Sequence, residues 1–186
     1  MHTGIPMYFV RLQGCSVGCY FCDTKYTWKP EDQTVKEEDI IVRAKQSGAL
    51  WVCITGGEPY EQDLTELVKE ARKHGLKTHV ETSGTVYQPS LIDWVCLSPK
   101  DLFSKKKTVQ EMKIRADEIK CVVTKEADID YYEKEYEDLA EELHVPFILQ
   151  PVDNNKEIAE MILHRVAVRD TAARIMIQQH KVLGLR

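Results

Sequence analysis

The 186-residue chain has no apolar run that approaches membrane-crossing length, and no charged head followed by a long apolar stretch that would mark a secretory signal. It has no excess of positive charge: the net charge is −5, which offers no footprint for nucleic acid or an anionic membrane surface. The Lys105-Lys106-Lys107 run lacks interleaved aromatics and reads as a solvated loop. There is no internal repeat, low-complexity tract or linker. What remains is an ordinary globular composition, 43% hydrophobic and 30% charged, long enough to bury a core as one domain over residues 1–186. A reducing, cytoplasmic setting is expected, so the six cysteines are thiols or metal ligands rather than bridges.

The cysteines are unevenly placed. Cys53, Cys96 and Cys121 lie singly in apolar runs and behave as small core hydrophobes, whereas Cys15, Cys19 and Cys22 crowd into one short stretch. Around them, β-type runs alternate with helix-type segments. Strands are expected at Met7–Leu12, Leu50–Thr55, Lys77–Thr82, Trp94–Leu97, Glu118–Thr124, Pro146–Gln150 and Ala173–Gln178. Helices are expected at Lys36–Gln46, Asp63–His74, Asp128–Leu143 and Glu157–Val168, the third with its many acids on a solvated face. This rhythm predicts an α/β fold with parallel strands and helical crossovers, arranged as a partial, open barrel. The cysteine loop, Gly56-Gly57-Glu58-Pro59, Ser83-Gly84, Ser98-Pro99-Lys100 and Gln150-Pro151 each follow a predicted strand. Ligands gather at strand C-terminal ends in such sheets, so these segments are expected to converge.

Cys15-x3-Cys19-x2-Cys22 supplies three thiolates from one loop. A 4Fe-4S cluster has four irons, so three cysteines leave one iron open to a cofactor or substrate. A structural zinc site needs a fourth Cys or His, and His2, the only one nearby, precedes the strand. A redox disulfide would use two cysteines rather than three. Gly14 and Gly18 let the loop's backbone wrap closely.

This spacing after an early strand, followed by Thr55-Gly56-Gly57-Glu58-Pro59 at the end of the next long strand, resembles the radical S-adenosylmethionine superfamily. The resemblance implies a partial (open) parallel β/α barrel of the radical SAM type. It also implies an open iron chelated by S-adenosylmethionine, whose reductive cleavage yields a 5′-deoxyadenosyl radical. Glu58 and the adjacent backbone would then bind the methionine amino group.

Within the superfamily, Gly4 to Cys15 and Cys22-Asp23-Thr24-Lys25-Tyr26-Thr27-Trp28 are similar to the 7-carboxy-7-deazaguanine synthase family. The likeness continues through Glu81-Thr82-Ser83-Gly84-Thr85, Leu97-Ser98-Pro99-Lys100, Gln150-Pro151 and Gln179-His180-Lys181-Val182-Leu183-Gly184. It implies conversion of 6-carboxy-5,6,7,8-tetrahydropterin to 7-carboxy-7-deazaguanine with loss of ammonia, in queuosine biosynthesis. No catalytic residue is implied beyond the cluster and cofactor. The matching positions imply Thr24 as a Mg²⁺ ligand, and Phe21, Cys22, Asp23, Gly57, Glu58, Ser98, Pro99, Lys100, Gln150, Pro151, Val152 and Asp153 at S-adenosylmethionine. Arg11, Thr55 and the C-terminal carboxylate at Arg186 are implied at the substrate. A flavodoxin- or ferredoxin-type electron donor and a homodimer are the implied partners. The family pattern also carries a strand and a Gln-Gly-Glu-Gly segment ahead of Met1-His2-Thr3-Gly4, so this chain is expected to lack the first N-terminal strand.

Several of these positions have a structural alternative: Ser98 and Lys100 could instead form an exposed turn. Arg11 interrupts a buried-looking strand, and a buried guanidinium needs an anion: a substrate carboxylate, or an acidic neighbour in a structural ion pair. Asp23-Thr24 could instead cap a helix after the cysteine loop. A different function in the same superfamily, activation of a glycyl-radical enzyme, would use the three cysteines and the Gly-Gly-Glu-Pro turn. It would not require Arg11 or Thr24. A zinc or iron–sulfur binding module without activity would leave the strand-end motifs unexplained.

Overall fold

The computed structural model describes the chain except Met1, Thr3, residues 31–33, Ser90, Asp170, Leu185 and Arg186. It divides into two compact units, Met1–Ala116 and Asp117–Arg186. In the first, strands β1 (Met7–Leu12), β2 (Trp51–Gly56), β3 (Lys77–Thr82) and β4 (Trp94–Leu97) pair in parallel in that order. Helices α1 (Glu37–Gln46) and α2 (Thr65–Lys73) make the first two crossovers. Both follow the expected apolar spacing: Ile41 and Ala44 of α1, and Leu67, Val68 and Ala71 of α2, are buried. The centre of β2 (Val52, Cys53, Ile54) is buried on both faces, as its unbroken apolar run requires.

Among the described residues the third crossover has no helix. In the connecting loop the Gln88 side chain accepts from Leu64 N at 3.1 Å and donates to Gln62 O at 2.8 Å, closing the start of α2. A helix the sequence reading did not anticipate, α3 (Gln110–Arg115), follows β4 and buries Met112 completely.

The second unit holds β5 (Glu118–Val123), β6 (Phe147–Pro151) and β7 (Arg174–Ile175), parallel and in order. The last is shorter than the Ala173–Gln178 expected, although Met176 N still reaches Leu149 O at 3.1 Å. The single acidic helix expected at Asp128–Leu143 is instead α4 (Glu126–Tyr132), a π turn (Glu133–Glu137) and α5 (Asp138–Glu142). Its acids are also not all solvated, which corrects that expectation. Asp128 is buried and accepts from Thr124 N at 2.8 Å and Thr124 Oγ1 at 2.7 Å, closing the helix N-terminus. Glu133 shares the inner face with Ile129, Tyr132, Tyr136 and Ala140. It is tolerated there because Arg165 (2.7 Å) and Arg169 (2.6 Å) of α6 (Lys156–Arg169) bind one of its oxygens.

Among the described residues no helix is long and apolar enough to cross a membrane.

Candidate functional site

The chain leaving β1 forms the cysteine loop, and its two ends are tied to each other: Gly14 N donates to Thr27 O at 2.7 Å and Cys15 N to Trp28 O at 3.2 Å. The turn leaving β2 is fastened to the same place. Gly57 N donates to Leu12 O at 2.8 Å and Glu58 N to Gly14 O at 2.9 Å. The backbones approach so closely that a Cβ on Gly57 would stand 1.8 Å from the Gly14 oxygen. Gly56 has φ +111°, a conformation that glycine alone adopts readily. The pairing of a cysteine motif with a Gly-Gly turn therefore has a steric cause.

Inside the loop Cys19 is buried, Cys15 and Cys22 are half-buried, and all three are free thiols. Burial pushes the Cys15 and Cys19 thiols up; Cys15 and Cys22 add repulsion at Cys19, and Lys100 opposes it. Burial thus favours the protonated form of Cys15 and Cys19 until a cation binds them. Trp28 Nε1 donates to Cys22 Sγ at 3.4 Å, a contact of the kind that tunes iron–sulfur centres. Three free thiols in a loop with tied ends suit a 4Fe-4S cluster with one open iron. Thr24 stands at the start of the helical turn Lys25–Thr27, but its hydroxyl makes no capping bond. That hydroxyl lies 3.5 Å from Cys22 Sγ. The cap alternative for Thr24 is therefore not what the structure shows.

Glu58 is only 2% exposed. One of its oxygens accepts from Thr82 Oγ1 (2.5 Å) and Tyr60 N (3.3 Å), the other from Ser83 N (2.7 Å) and Ser83 Oγ (2.5 Å). All four acceptor positions of the carboxylate are occupied. In this arrangement Glu58 ties the turn after β2 to the turn after β3. The segment after β4 joins them: Ser98 N donates to Thr82 O at 2.7 Å, and Lys100 Nζ donates to Ser98 O at 2.6 Å and Ser98 Oγ at 2.5 Å. Ser104 Oγ donates to Val17 O at 2.9 Å, and Phe103 packs edge-on against Phe21 at 4.7 Å. Lys106 donates to Ser16 Oγ and, at 3.3 Å, to Glu61. Lys107 donates to Asp101 O, so two of the three lysines fasten the loop while all three stay exposed, as the solvated reading expects.

Four of the five strand-end segments thus interlock at one end of the first unit. Of the partners that hold them, Glu61 and Asp101 were not singled out in the sequence, and Thr82 and Trp28 stood only within the quoted stretches, without a partner assigned. Thr82 is 24 residues from Glu58, with no local pattern to connect them.

Arg11 and Thr55 turn out to be register partners on β1 and β2. Arg11 is exposed, not buried, which corrects the premise that an interior charge must find an anion. Among the described residues it has no ion pair, so the structural salt-bridge alternative is also without support. In the second unit, Gln150 and Pro151 end β6 and are buried, and Val152 is half-buried. Asp153 is exposed at φ +50° and pairs with Lys181, while Asn154 brackets the Gln178 backbone through bonds of 2.7 Å and 3.0 Å. Arg186 lies outside the described residues.

Comparison with known proteins agrees with this geometry. Residues 9–103 match the Radical SAM superfamily model. The chain is 36% identical over 207 residues to a 7-carboxy-7-deazaguanine synthase of Buchnera aphidicola, covering 100% of this chain and 92% of that protein. It is 31% identical over 184 residues to the protein of that name from Flavobacterium psychrophilum, covering 99% and 85%. The crystal structure of QueE from Escherichia coli superimposes with a TM-score of 0.80 at 30% identity, covering 95% of this chain and 86% of that one. The open parallel α/β fold class expected from the strand–helix rhythm is thereby shown.

Proposed function

The chain belongs to the 7-carboxy-7-deazaguanine synthases of the radical S-adenosylmethionine superfamily, and from that premise we propose that it converts 6-carboxy-5,6,7,8-tetrahydropterin to 7-carboxy-7-deazaguanine with loss of ammonia, in the route to queuosine. The observation that carries this reading is the junction of Gly57 with Gly14, which clamps a loop of three free thiols against the Gly-Gly-Glu-Pro turn. A glycyl-radical activase or an inactive metal-binding module has no comparable support, since the full-length relatives are synthases.

In this reading Cys15, Cys19 and Cys22 hold three irons of a 4Fe-4S cluster. When bound, the cluster and S-adenosylmethionine supply the radical that removes hydrogen from the carbon bearing the substrate carboxylate. The protein's part is placement. The half-buried Phe21, held edge-on by Phe103, with Cys22, Asp23, Gly57 and the Ser98-Pro99-Lys100 segment, lines the cofactor's seat in the first unit; in the second unit, Gln150, Pro151, Val152 and Asp153 match the family's cofactor-binding positions. Glu58 would act on the cofactor's amino group by exchanging one of its bonds to Thr82 or Ser83. The Thr24 hydroxyl, which makes no capping bond and lies beside Cys22 Sγ, offers Mg²⁺ a hard oxygen ligand. Arg11 presents a planar fork to the substrate carboxylate, with Thr55 beside it on the next strand. A flavodoxin- or ferredoxin-type donor supplies the electron, and the enzyme works as a cytoplasmic homodimer.

The test is anaerobic reconstitution followed by incubation with the carboxytetrahydropterin, S-adenosylmethionine, Mg²⁺ and a reductant. About four irons per chain and the deazaguanine product are expected. Replacement of any one of Cys15, Cys19 or Cys22 by Ala should abolish both. Stoichiometric zinc without iron–sulfur absorbance would overturn the cluster assignment. An intact cluster that cleaves S-adenosylmethionine yet yields no deazaguanine would overturn the substrate.

A further inference from the structure

His79 and Glu81 of β3 project on the same side of the sheet, because residues two apart in a strand share a face. Cys96 of β4 is the register partner of Glu81 and joins them. One nitrogen of His79, one carboxylate oxygen of Glu81 and the sulfur of Cys96 all lie within 4.8 Å of one another. None of the three belongs to the cluster, the cofactor seat or the substrate contacts assigned above.

We propose that His79, Glu81 and Cys96 form a second metal site that takes a borderline divalent cation of the Zn²⁺ class. The donor set is the first argument. Imidazole nitrogen, carboxylate oxygen and thiolate sulfur are the three ligand types zinc uses, and a hard ion such as Mg²⁺ has no use for the sulfur.

Geometry is the second. His79 Nε2 stands 3.3 Å from Glu81 Oε1. Two ligands each about 2.0–2.1 Å from a tetrahedral zinc are themselves roughly 3.3 Å apart, so the ion fits with little movement of either side chain.

The third argument is the support behind the histidine. Its other ring nitrogen, Nδ1, lies 3.1 Å from Nδ1 of His2, whose ring packs between Trp51 (4.4 Å) and Trp94 (4.6 Å). With His79 donating through Nδ1 to His2, Nε2 is the lone-pair nitrogen facing Glu81 and Cys96, the orienting device usual behind a ligating histidine.

Charge is the fourth. Cys96 is fully buried and His79 nearly so, whereas the Glu81 side chain is 27% exposed. A thiolate and a carboxylate together neutralise a divalent ion in a place where either anion alone would be costly. The three protein ligands leave a fourth position, which opens on the more exposed Glu81 side.

The experiment is zinc K-edge X-ray absorption on the reconstituted iron–sulfur holoenzyme with one equivalent of Zn²⁺, alongside titration against a chelator of known affinity. One sulfur at about 2.3 Å with nitrogen and oxygen at about 2.0 Å is expected, with iron content unchanged. Cys96→Ser should remove the sulfur shell, and Glu81→Gln, which keeps the side chain's shape, should weaken zinc binding by more than tenfold. Should Cys96→Ser fail to fold by circular dichroism, Glu81→Gln decides. Cys53→Ser, at the register partner of His79, is the control and should change neither reading. Wild-type affinity in Glu81→Gln, a sulfur shell that survives Cys96→Ser or disappears in Cys53→Ser, or a three-sulfur shell with release of iron would each overturn the site.

Discussion

Substituting Gly57 by alanine isolates the contact that joins the cysteine loop to the Gly-Gly-Glu-Pro turn. The new methyl group would sit 1.8 Å from the Gly14 carbonyl oxygen and 2.6 Å from its carbon, both backbone atoms that cannot rotate aside. The two loops must therefore separate by an ångström or more, on the order of the overlap. That breaks Gly57 N to Leu12 O and Glu58 N to Gly14 O, each worth about 1 kcal/mol net. Residual strain of the overpacked junction adds roughly 1–2 kcal/mol. The total is about 3–4 kcal/mol, which in a chain of this size lowers the melting temperature by roughly 6–15 °C.

Gly48→Ala is the comparison. Gly48 also has an αL backbone, φ +77°, but nothing lies within 4 Å of the Cβ position, so only about 1 kcal/mol of backbone strain is expected. Calorimetry of both variants, with iron content after anaerobic reconstitution, is the assay. Gly57→Ala should lose both stability and most of its iron, whereas Gly48→Ala should keep its iron. A Gly57→Ala protein that melts within about 2 °C of wild type and loads fully would refute the steric account.

Arg11→Ala should weaken binding of the carboxytetrahydropterin by more than tenfold while iron content stays at the wild-type level, and Arg11→Lys should recover only part of the loss. Because Arg11 is exposed, neither variant should lower the melting temperature appreciably; a large drop would return the residue to a structural role. Glu133→Ala removes the charge-assisted bonds to Arg165 and Arg169 and should cost about 2–3 kcal/mol by urea unfolding, with no effect on iron loading. The His2 pKa is held below its usual 6.5, so as pH falls the unfolded chain takes up the proton first. Stability should therefore decline from about pH 6.5 down to the folded value and level off below it, and His2→Phe should flatten that part of a melting-temperature profile.

Most strands were legible because each announces itself locally. Three of the expected strands, Met7–Leu12, Lys77–Thr82 and Trp94–Leu97, have the observed bounds. The cysteine loop and Gly-Gly-Glu-Pro turn were legible because their chemistry is written in residue types at short spacing. Two kinds of feature were not. Burial of individual charges depends on a partner distant in the chain: Glu133 is held by Arg165, 32 residues later, and Arg11 is exposed by the packing around β1. Ties between loops are similarly hidden, because Glu58 with Thr82, or Lys106 with Ser16, has no periodicity to betray it. The π turn at Glu133–Glu137 is likewise set by packing, since nothing in its composition distinguishes it from the α-helix on either side.

The closed ends of the cysteine loop have a consequence for how readily iron is taken up. A floppy segment of about 14 residues would lose roughly 2 kcal/mol of entropy each time its ends were drawn together around a metal. Here the bonds from Gly14 to Thr27 and from Cys15 to Trp28 settle that loss when the polypeptide folds. Metal capture starts from a noose already drawn, so its affinity is not diluted by chain ordering. Transfer of a cluster from a scaffold or carrier should then alter the far-ultraviolet circular dichroism hardly at all.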